Sequence, residues 1–308
     1  MPGLIAKRSA AVGFVIWLLL LLTTTADSAP IELIHKIVFF AVLVIVPLTL
    51  ALVAPPDRNS LYKLLILIQP IAALLTIASF FLDKGTPSAA LSSTWLLFTG
   101  LVALYGVTRL IARGGPFPLP ELSIDAGLLY LPVAGVWLVI YRLGEQPFGY
   151  GEIIILLTVV HFHFAGFATP IIAGMNGRLL ASTEFPRRIY AFAVFGIVAA
   201  MPLVAAGITF NPLLGLIGTL LLSVALVLLA VLTIFWVRPA ISGPAKQVLL
   251  VFGALASCSA MVLASFYAYS IATHTLILTI PTMAMTHGIL NAFGFVTCSL
   301  FVWSRIEW

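Results

Sequence analysis

The chain alternates from end to end between long apolar runs and short polar connectors. A helix needs about 20 mostly apolar residues to cross the hydrocarbon core of a bilayer, and ten runs approach or exceed that length. The connectors carry helix breakers, among them Pro55–Asp57, Gly114–Pro116 and Gly243–Pro244. This pattern predicts an all-α, polytopic transmembrane helix bundle of about ten helices. The predicted spans are 9–25, 31–54, 61–82, 88–111, 123–142, 151–174, 188–208, 212–237, 247–270 and 276–303.

The composition leaves no room for a soluble domain. Of the 308 residues, 62% are hydrophobic and 8% are charged, whereas a soluble domain carries about 25% charged residues. We therefore predict a single integral membrane domain over residues 1–308. The formal net charge of +5 does not indicate a nucleic-acid partner, because the basic residues lie at segment ends and not in a patch with aromatic side chains. Cys258 and Cys298 lie inside apolar runs and predict neither a disulfide framework nor a zinc site.

The distribution of Lys and Arg predicts the orientation. Basic residues are retained on the cytoplasmic side during insertion, and ten spans place 12 of the 15 Lys and Arg residues on one face. We therefore predict that both termini are cytoplasmic and that the membrane is the bacterial plasma (inner) membrane. The other, outer face receives only Lys36, Lys84 and Arg142. The inner face receives Lys7, Arg8, Arg58, Lys63, Arg109, Arg113, Arg178, Arg187, Arg188, Arg238, Lys246 and Arg305.

The first and last segments allow more than one interpretation. Residues 1–30 combine a basic start, an apolar run and a small-residue stretch, so they are either a first transmembrane helix (a signal anchor) or a cleavable signal peptide. Cleavage would leave nine helices in the same orientation. The last segment is longer than a straight span requires, and Pro281 predicts a kink, a tilt or a short re-entrant piece. We find no internal repeat.

The richest candidate chemistry lies in the sixth segment, where Val160–Pro170 reads VHFHFAGFATP. Ionisable groups inside a membrane are costly, so each one is a functional hypothesis. At about 100° per residue, the side chains of His161 and His163 point about 200° apart. Either only one of them faces a site, or the helix is deformed near Gly166 and Pro170.

A second polar stretch, THGILNAFGF, lies in the last segment, where His287 and Asn291 share one helix face. His161, His163 and His287 all fall near mid-membrane and would meet if their two helices pack side by side. Glu152 opens the sixth helix three turns before His163, about 16 Å away. Asp125 stands apart, near the predicted cytoplasmic end of the fifth helix.

The histidines, Asn291, Glu152 and Asp125 described above make up the predicted site. Four further ionisable residues near the predicted outer interface are interpreted as solvated helix ends and are not included in it: Glu32, His35, Lys36 and His274. For the buried histidines the alternative interpretation is structural, because His and Asn often hydrogen-bond across packed transmembrane helices. The candidate catalytic residues are His161, His163, His287, Asn291, Glu152 and Asp125, and His161, His163 and His287 are also the candidate metal ligands.

Both polar stretches resemble the bacterial YndJ-like family of multi-pass membrane proteins. Val160–Phe167 is similar to a VHFHxAGF pattern of that family, and His287–Phe295 is similar to a closing HGxxNAxGF pattern. The segment Asp125–Trp137 is also family-like. The resemblance spans about the second helix to the C-terminus and implies a shared fold and a shared polar cluster. It implies no reaction.

Four functions are compatible with these residues. We favour a membrane-embedded enzyme that carries out acid–base chemistry, such as cyclisation, isomerisation or hydrolysis, on a lipophilic molecule such as an isoprenoid, a polyketide or a lipid. No nucleotide, flavin or phosphate-binding motif is present, so the sequence indicates no soluble cofactor. The alternatives are a proton-coupled transporter, a haem or divalent-metal redox protein that uses the histidines as ligands, and a non-catalytic partner subunit.

Overall fold

The computed structural model describes residues 2–26, 28–55 and 59–306, and all regular structure in those ranges is helical. Ten of its helices are long and apolar enough to cross a membrane, as predicted. Four internal residues lie outside the described ranges: Asp27, Pro56, Asp57 and Arg58. Pro56 and Asp57 belong to a predicted helix-breaking connector, and Arg58 is one of the basic residues predicted on the inner face. The helices are α1 Pro2–Leu20, α2 Ala29–Leu52, α3 Ser60–Ser79, α4 Thr86–Arg113, α5 Leu119–Leu143, α6 Glu152–Leu180, α7 Arg187–Thr209, α8 Pro212–Ala240, α9 Pro244–Ala272 and α10 Ile280–Ser304.

Helix α1 begins about two turns earlier than predicted. The prediction excluded Lys7 and Arg8 because they are charged, but both residues are good helix formers and the helix continues through them to its start at Pro2. The remaining helices agree with the predicted spans to within a few residues, except that α6 extends to Leu180. The fold class is therefore confirmed, while the orientation and the fate of the first segment stay predictions.

Caps fix several helix ends. The side chain of Asn59 accepts a hydrogen bond from the backbone N–H of Tyr62 at the start of α3, and Asn211 caps the start of α8 in the same way. Helix α4 ends at Gly114, whose φ of 77° lies in the left-handed region that glycine adopts most easily. The connectors are consequently short, and consecutive helices follow each other closely along the chain.

The chain divides into two compact units. The first unit contains residues 1–115 and 125–168, and therefore α1–α4, most of α5 and the first part of α6. Its inner helix is α2. In the most apolar 18-residue stretch of each helix, 89% of the residues of α2 are buried but only 17% of those of α1. A Cβ at Gly13 would collide with the backbone of Leu43, so this glycine permits the close approach of α1 to α2.

The second unit contains residues 116–124 and 169–308, and therefore the start of α5, the end of α6 and α7–α10. Helices α7 and α8 approach closely at Gly207 and Gly215, where a Cβ on Gly207 would collide with the opposite backbone. The hydroxyl of Tyr190 donates to the carbonyl of Ala173 at 3.1 Å and ties α7 to the end of α6. These contacts build a helical core within the unit.

Both stretches singled out from the sequence adopt wide, π-helical backbone. In α6 the π-helical segment is Phe162–Ala168, and in α10 the segments are Ala284–Gly288 and Leu290–Thr297. Such widened turns are rare and occur frequently at functional positions. The deformation considered for the sixth helix therefore begins at Phe162, directly after His161.

Candidate functional site

His163 is completely buried in the first unit and both its ring nitrogens have protein partners. The indole N–H of Trp95 donates to Nε2 at 3.0 Å, and Nδ1 lies 2.8 Å from the carbonyl oxygen of Val159. Because an indole N–H can only donate and a carbonyl can only accept, His163 must carry its proton on Nδ1 and be neutral. This arrangement fixes the ring in place.

His161 points the other way, as the helical geometry predicts. It is exposed on the surface of the first unit, and its Nδ1 lies 2.7 Å from the carbonyl oxygen of Leu157, one turn earlier in α6. Of the two histidines, His163 therefore faces the interior of the unit.

His287 and Asn291 lie on one face of α10 in the second unit, as predicted, and are half-buried. Nδ1 of His287 lies 2.8 Å from the carbonyl oxygen of Ala260 in α9, and the amide nitrogen of Asn291 lies 3.2 Å from Nε2. His161 and His163 belong to the first unit, so their meeting with His287 stays a prediction.

Asp125 is buried and does not stand apart from other charges. It forms ion pairs with Arg109, at 2.8 Å, and with Arg113, both in α4. The two arginines are four residues apart and thus share one helix face. That spacing is the signal in the sequence for this ion-pair group, and the predicted site did not include either arginine.

The largest group of ionisable side chains in the first unit lies elsewhere, around His35 in α2. Glu32 and Lys36 form the ion pair that their i, i+4 spacing allows, at 2.6 Å. His35 is 1% exposed and Lys36 is 7% exposed. The interpretation of these residues as solvated helix ends is therefore wrong for His35 and Lys36, because α2 is the inner helix of the unit. His274, in contrast, is exposed.

A chain of hydrogen bonds runs through His35. Nε2 lies 2.7 Å from the hydroxyl oxygen of Tyr141, and Nδ1 lies 2.9 Å from the hydroxyl oxygen of Thr25. The hydroxyl of Thr25 donates to the carboxylate of Glu32 at 2.9 Å. With Thr25 donating to Glu32, the hydroxyl of Thr25 accepts the Nδ1 proton of His35, and Nε2 accepts the proton of Tyr141.

Three cations surround this chain. Besides Lys36, the ammonium group of Lys84 lies 4.5 Å from the centre of the Tyr141 ring, and the Arg142 guanidinium lies 5.6 Å from it. Lys84 also forms an ion pair with Glu152, the predicted site residue at the start of α6. Of the three basic residues that the predicted topology places on the outer face, Lys84 and Arg142 thus lie beside Tyr141 and Lys36 lies beside Glu32.

We call this group the His35 cluster. Its signal in the sequence was the isolation of three basic residues on one predicted face, but Thr25 and Tyr141 carry no such signal. Tyr141 is 106 residues from His35, and only the packing of the end of α5 against α2 joins them. The cluster consists of Thr25, Glu32, His35, Lys36, Lys84, Tyr141, Arg142 and Glu152.

Within residues 2–26, 28–55 and 59–306, no three His, Cys, Asp or Glu side chains lie close enough together to form a metal site. Both cysteines are free thiols, Cys258 in α9 and Cys298 in α10.

Comparison with known proteins places the chain in a family of membrane proteins. Residues 36–295 match the profile of the YndJ-like protein family. The chain is 30% identical, over 293 residues, to the uncharacterized membrane protein YndJ of Bacillus subtilis (strain 168). This alignment covers 92% of the chain and 50% of that relative, so the chain spans about half the length of the curated protein it matches. No solved structure matches the chain. The matched range includes Lys84, Tyr141, Arg142 and Glu152 and begins one residue after His35.

Proposed function

Since the chain belongs to the YndJ-like family of membrane proteins, we propose that it is a membrane-embedded enzyme of the bacterial plasma membrane. It carries out acid–base chemistry, such as isomerisation, cyclisation or hydrolysis, on a lipophilic molecule. The proton-transfer group is the pair Tyr141 and His35. The predicted site residue Glu152 is linked to this pair through Lys84, which forms an ion pair with Glu152 and lies over the ring of Tyr141.

The observation that carries the proposal is the hydrogen-bond chain from Tyr141 through His35 and Thr25 to Glu32. A hydroxyl group can both donate and accept, so Tyr141 can give its proton to a substrate or take one from it while His35 changes its own protonation. Thr25 and Glu32 hold the Nδ1 side of the ring, which fixes its orientation and leaves Nε2 free to face Tyr141.

The surroundings of the pair suit a lipophilic substrate. The His35 ring packs edge-on against Phe80, with centroids 4.7 Å apart, and Phe80 packs against Phe39. The ion pair of Lys84 with Glu152 is partly exposed, with 29% of the Lys84 side chain and 41% of the Glu152 side chain accessible. Aromatic side chains beside a partly exposed ion pair suit a molecule with an apolar body and a polar end.

Deuterium incorporation tests this proposal whatever the chemical identity of the product. Purified protein in detergent is incubated in D₂O with total bacterial lipid extract, and the lipids are analysed by liquid chromatography and mass spectrometry. We expect a lipid species that gains deuterium or changes its retention time only when the wild-type protein is present. His35→Asn, which keeps a donor toward Thr25 but loses the contact with Tyr141, should reduce the rate about a hundredfold or more.

The matched control is His274→Asn, the same substitution at an exposed histidine, which should retain the wild-type rate. If no lipid species changes with the wild-type protein, or if His35→Asn and His274→Asn are equally active, the proposed function is wrong.

Proton-coupled transport is a second candidate, favoured by one observation. Helix α5 carries buried ionisable residues at both ends, with Asp125 near its start and Tyr141 and Arg142 at its end, about 24 Å apart. His163 does not extend this series, because its partners hold its proton on Nδ1. Proteoliposomes containing a pH-sensitive dye would report such transport as a proton flux that Asp125→Asn and His35→Asn both abolish.

A further inference from the structure

Arg142 is a buried cation without a direct anionic partner in the part of the chain that the structure describes. It is 3% exposed, and its guanidinium lies over the ring of Phe80, 5.0 Å from the centroid. Its Nη2 donates to the carbonyl of Leu82 at 2.6 Å, while Nε has no hydrogen-bond partner among the described residues. A buried charge is costly unless it is paired and hydrogen-bonded.

One of the three basic side chains in the His35 cluster has no carboxylate in direct contact. Lys36 is paired with Glu32 and Lys84 with Glu152. Arg142 forms no ion pair with any described carboxylate, and Asp83 and Glu152 act on it only through space. The His35 cluster thus holds three cations but only two ion-paired carboxylates, and Arg142 is the cation that no described carboxylate contacts directly.

The backbone of Arg142 is held in place by hydrogen bonds to the start of α4. The carbonyl oxygen of Arg142 accepts hydrogen bonds from the backbone N–H of Gly85, at 2.9 Å, and from the hydroxyl of Ser88, at 2.7 Å. This contact ties the end of α5 to the start of α4. The guanidinium is held separately, by the carbonyl of Leu82 and the ring of Phe80, and a group already held in this way loses less entropy when it binds an anion.

We infer that the His35 cluster binds the phosphate group of an anionic lipid, with Arg142 as its principal ligand and the partly exposed Lys84 as a second cation. This inference rests on the proposed function and gives its substrate class, a phosphate-bearing lipophile. A guanidinium presents planar N–H donors that match phosphate oxygens. The bound anion would supply the direct ion pair that Arg142 lacks among the described residues.

The position of the cluster favours a lipid headgroup as the source of this phosphate. Arg142 is the penultimate residue of α5, Lys84 lies in the connector before α4, and Glu152 is the first residue of α6. Helix ends lie at the level of the headgroups, beside the hydrocarbon core. A lipid bound there would place its phosphate near Arg142 and its chain beside Phe80, within reach of Tyr141.

Binding measurements on the detergent-purified full chain test the inference. Dioleoyl phosphatidic acid, dioleoyl phosphatidylcholine and inorganic phosphate are titrated separately, and binding is followed by native mass spectrometry and by the shift in unfolding temperature. We expect phosphatidic acid to bind the wild-type protein about tenfold or more tightly than phosphatidylcholine. Arg142→Met should remove this preference, and Arg142→Lys should retain part of it.

Arg305→Met is the matched control, because the Arg305 guanidinium also lies 5.0 Å from a phenylalanine centroid, that of Phe301, but Arg305 is exposed. It should bind phosphatidic acid like the wild type. Arg142→Met is expected to fold, since methionine replaces an unpaired buried charge. If it does not fold, Lys84→Met takes its place and should weaken phosphatidic acid binding while leaving phosphatidylcholine binding unchanged.

The outcomes separate this inference from the proposed function. Equal affinity of the wild type and Arg142→Met for phosphatidic acid, or no preference for phosphatidic acid over phosphatidylcholine, overturns the lipid phosphate site. Inorganic phosphate that stabilises the protein as strongly as phosphatidic acid supports the oxyanion site and gives a free anion as its ligand. Tyr141→Phe should bind phosphatidic acid normally, so lost turnover with intact binding would not count against the site.

Discussion

His35 and His163, two histidines of the first unit, are equally buried and differ in what surrounds their ring nitrogens. His35 is 1% exposed and lies between the hydroxyl groups of Tyr141 and Thr25. His163 is 0% exposed and lies between the indole N–H of Trp95 and the carbonyl of Val159. Hydroxyl partners can exchange the roles of donor and acceptor, whereas an indole and a carbonyl cannot.

This difference decides which histidine can move a proton. If His35 gains a second proton, Tyr141 only has to rotate its own hydrogen to accept the new N–H. If His163 gained one, two N–H groups, its own and that of Trp95, would face each other. Burial and position in a motif therefore do not distinguish the two histidines, and the hydrogen-bonding capacity of their partners does, which is why we propose His35 as the proton-transfer group.

The sharpest way to break the comparison is to remove the polar group that each histidine contacts, the hydroxyl of Tyr141 for His35 and the indole N–H of Trp95 for His163. Tyr141→Phe should lower the rate of deuterium incorporation into lipid about a hundredfold or more, because it removes the hydroxyl that exchanges the proton. Trp95→Phe should leave the rate close to that of the wild type. The measurement is the D₂O assay on both variants, with folding checked by size-exclusion chromatography. Comparable losses in the two variants would mean that the histidines do not differ in role.

Trp95→Phe should instead appear in the stability. It leaves Nε2 of the buried His163 without its donor, which should lower the free energy of unfolding by about 1–3 kcal/mol. Reversible unfolding in mixed detergent micelles measures this change. The double variant Trp95→Phe with His163→Phe removes both polar partners and should recover part of the loss. A double variant whose loss equals the sum of the two single losses would show that the hydrogen bond does not couple the pair.

A third prediction concerns Thr25, which joins His35 to Glu32. Thr25→Val keeps the shape of the side chain but removes the hydroxyl, and the rate should fall about tenfold because the ring loses its orienting partner. Thr25→Ser retains the hydroxyl and should restore most of the rate. We expect the loss in kcat rather than in KM, since Thr25 acts through His35. A loss in KM alone, or no rescue by serine, would contradict the positioning role.

The sequence predicted much of the fold and little of this chemistry, for physical reasons. Apolar runs near 20 residues specify spanning helices with little dependence on their neighbours, which is why all ten helices were found. The rotation of about 100° per residue separated His161 from His163. Local rules of this kind cannot bring together residues that are distant in the chain, such as Tyr141 and His35.

The burial of His35 was missed for the same reason. His35 lies two turns from the start of α2, where side chains are usually close to water, and the interpretation as a solvated end followed from that position. The inner location of α2 in the first unit overrides it. The ion pairs of Asp125 with Arg109 and Arg113 were missed although the i, i+4 spacing of the arginines was visible, because a spacing gives a shared face but not its partner.

The smallest expected effect belongs to His161, the neighbour of His163 in the family-like motif. His161 is exposed, and its Nδ1 contacts a carbonyl of its own helix. His161→Ala should therefore change the free energy of unfolding by less than about 0.5 kcal/mol and leave deuterium incorporation unchanged. The same unfolding and D₂O measurements check both statements, with Trp95→Phe as the comparison variant, for which we expect a lower free energy of unfolding. A large loss of turnover in His161→Ala would contradict the proposed site around His35. It would indicate an active site on α6 instead, where the exposed His161 ring contacts the substrate directly.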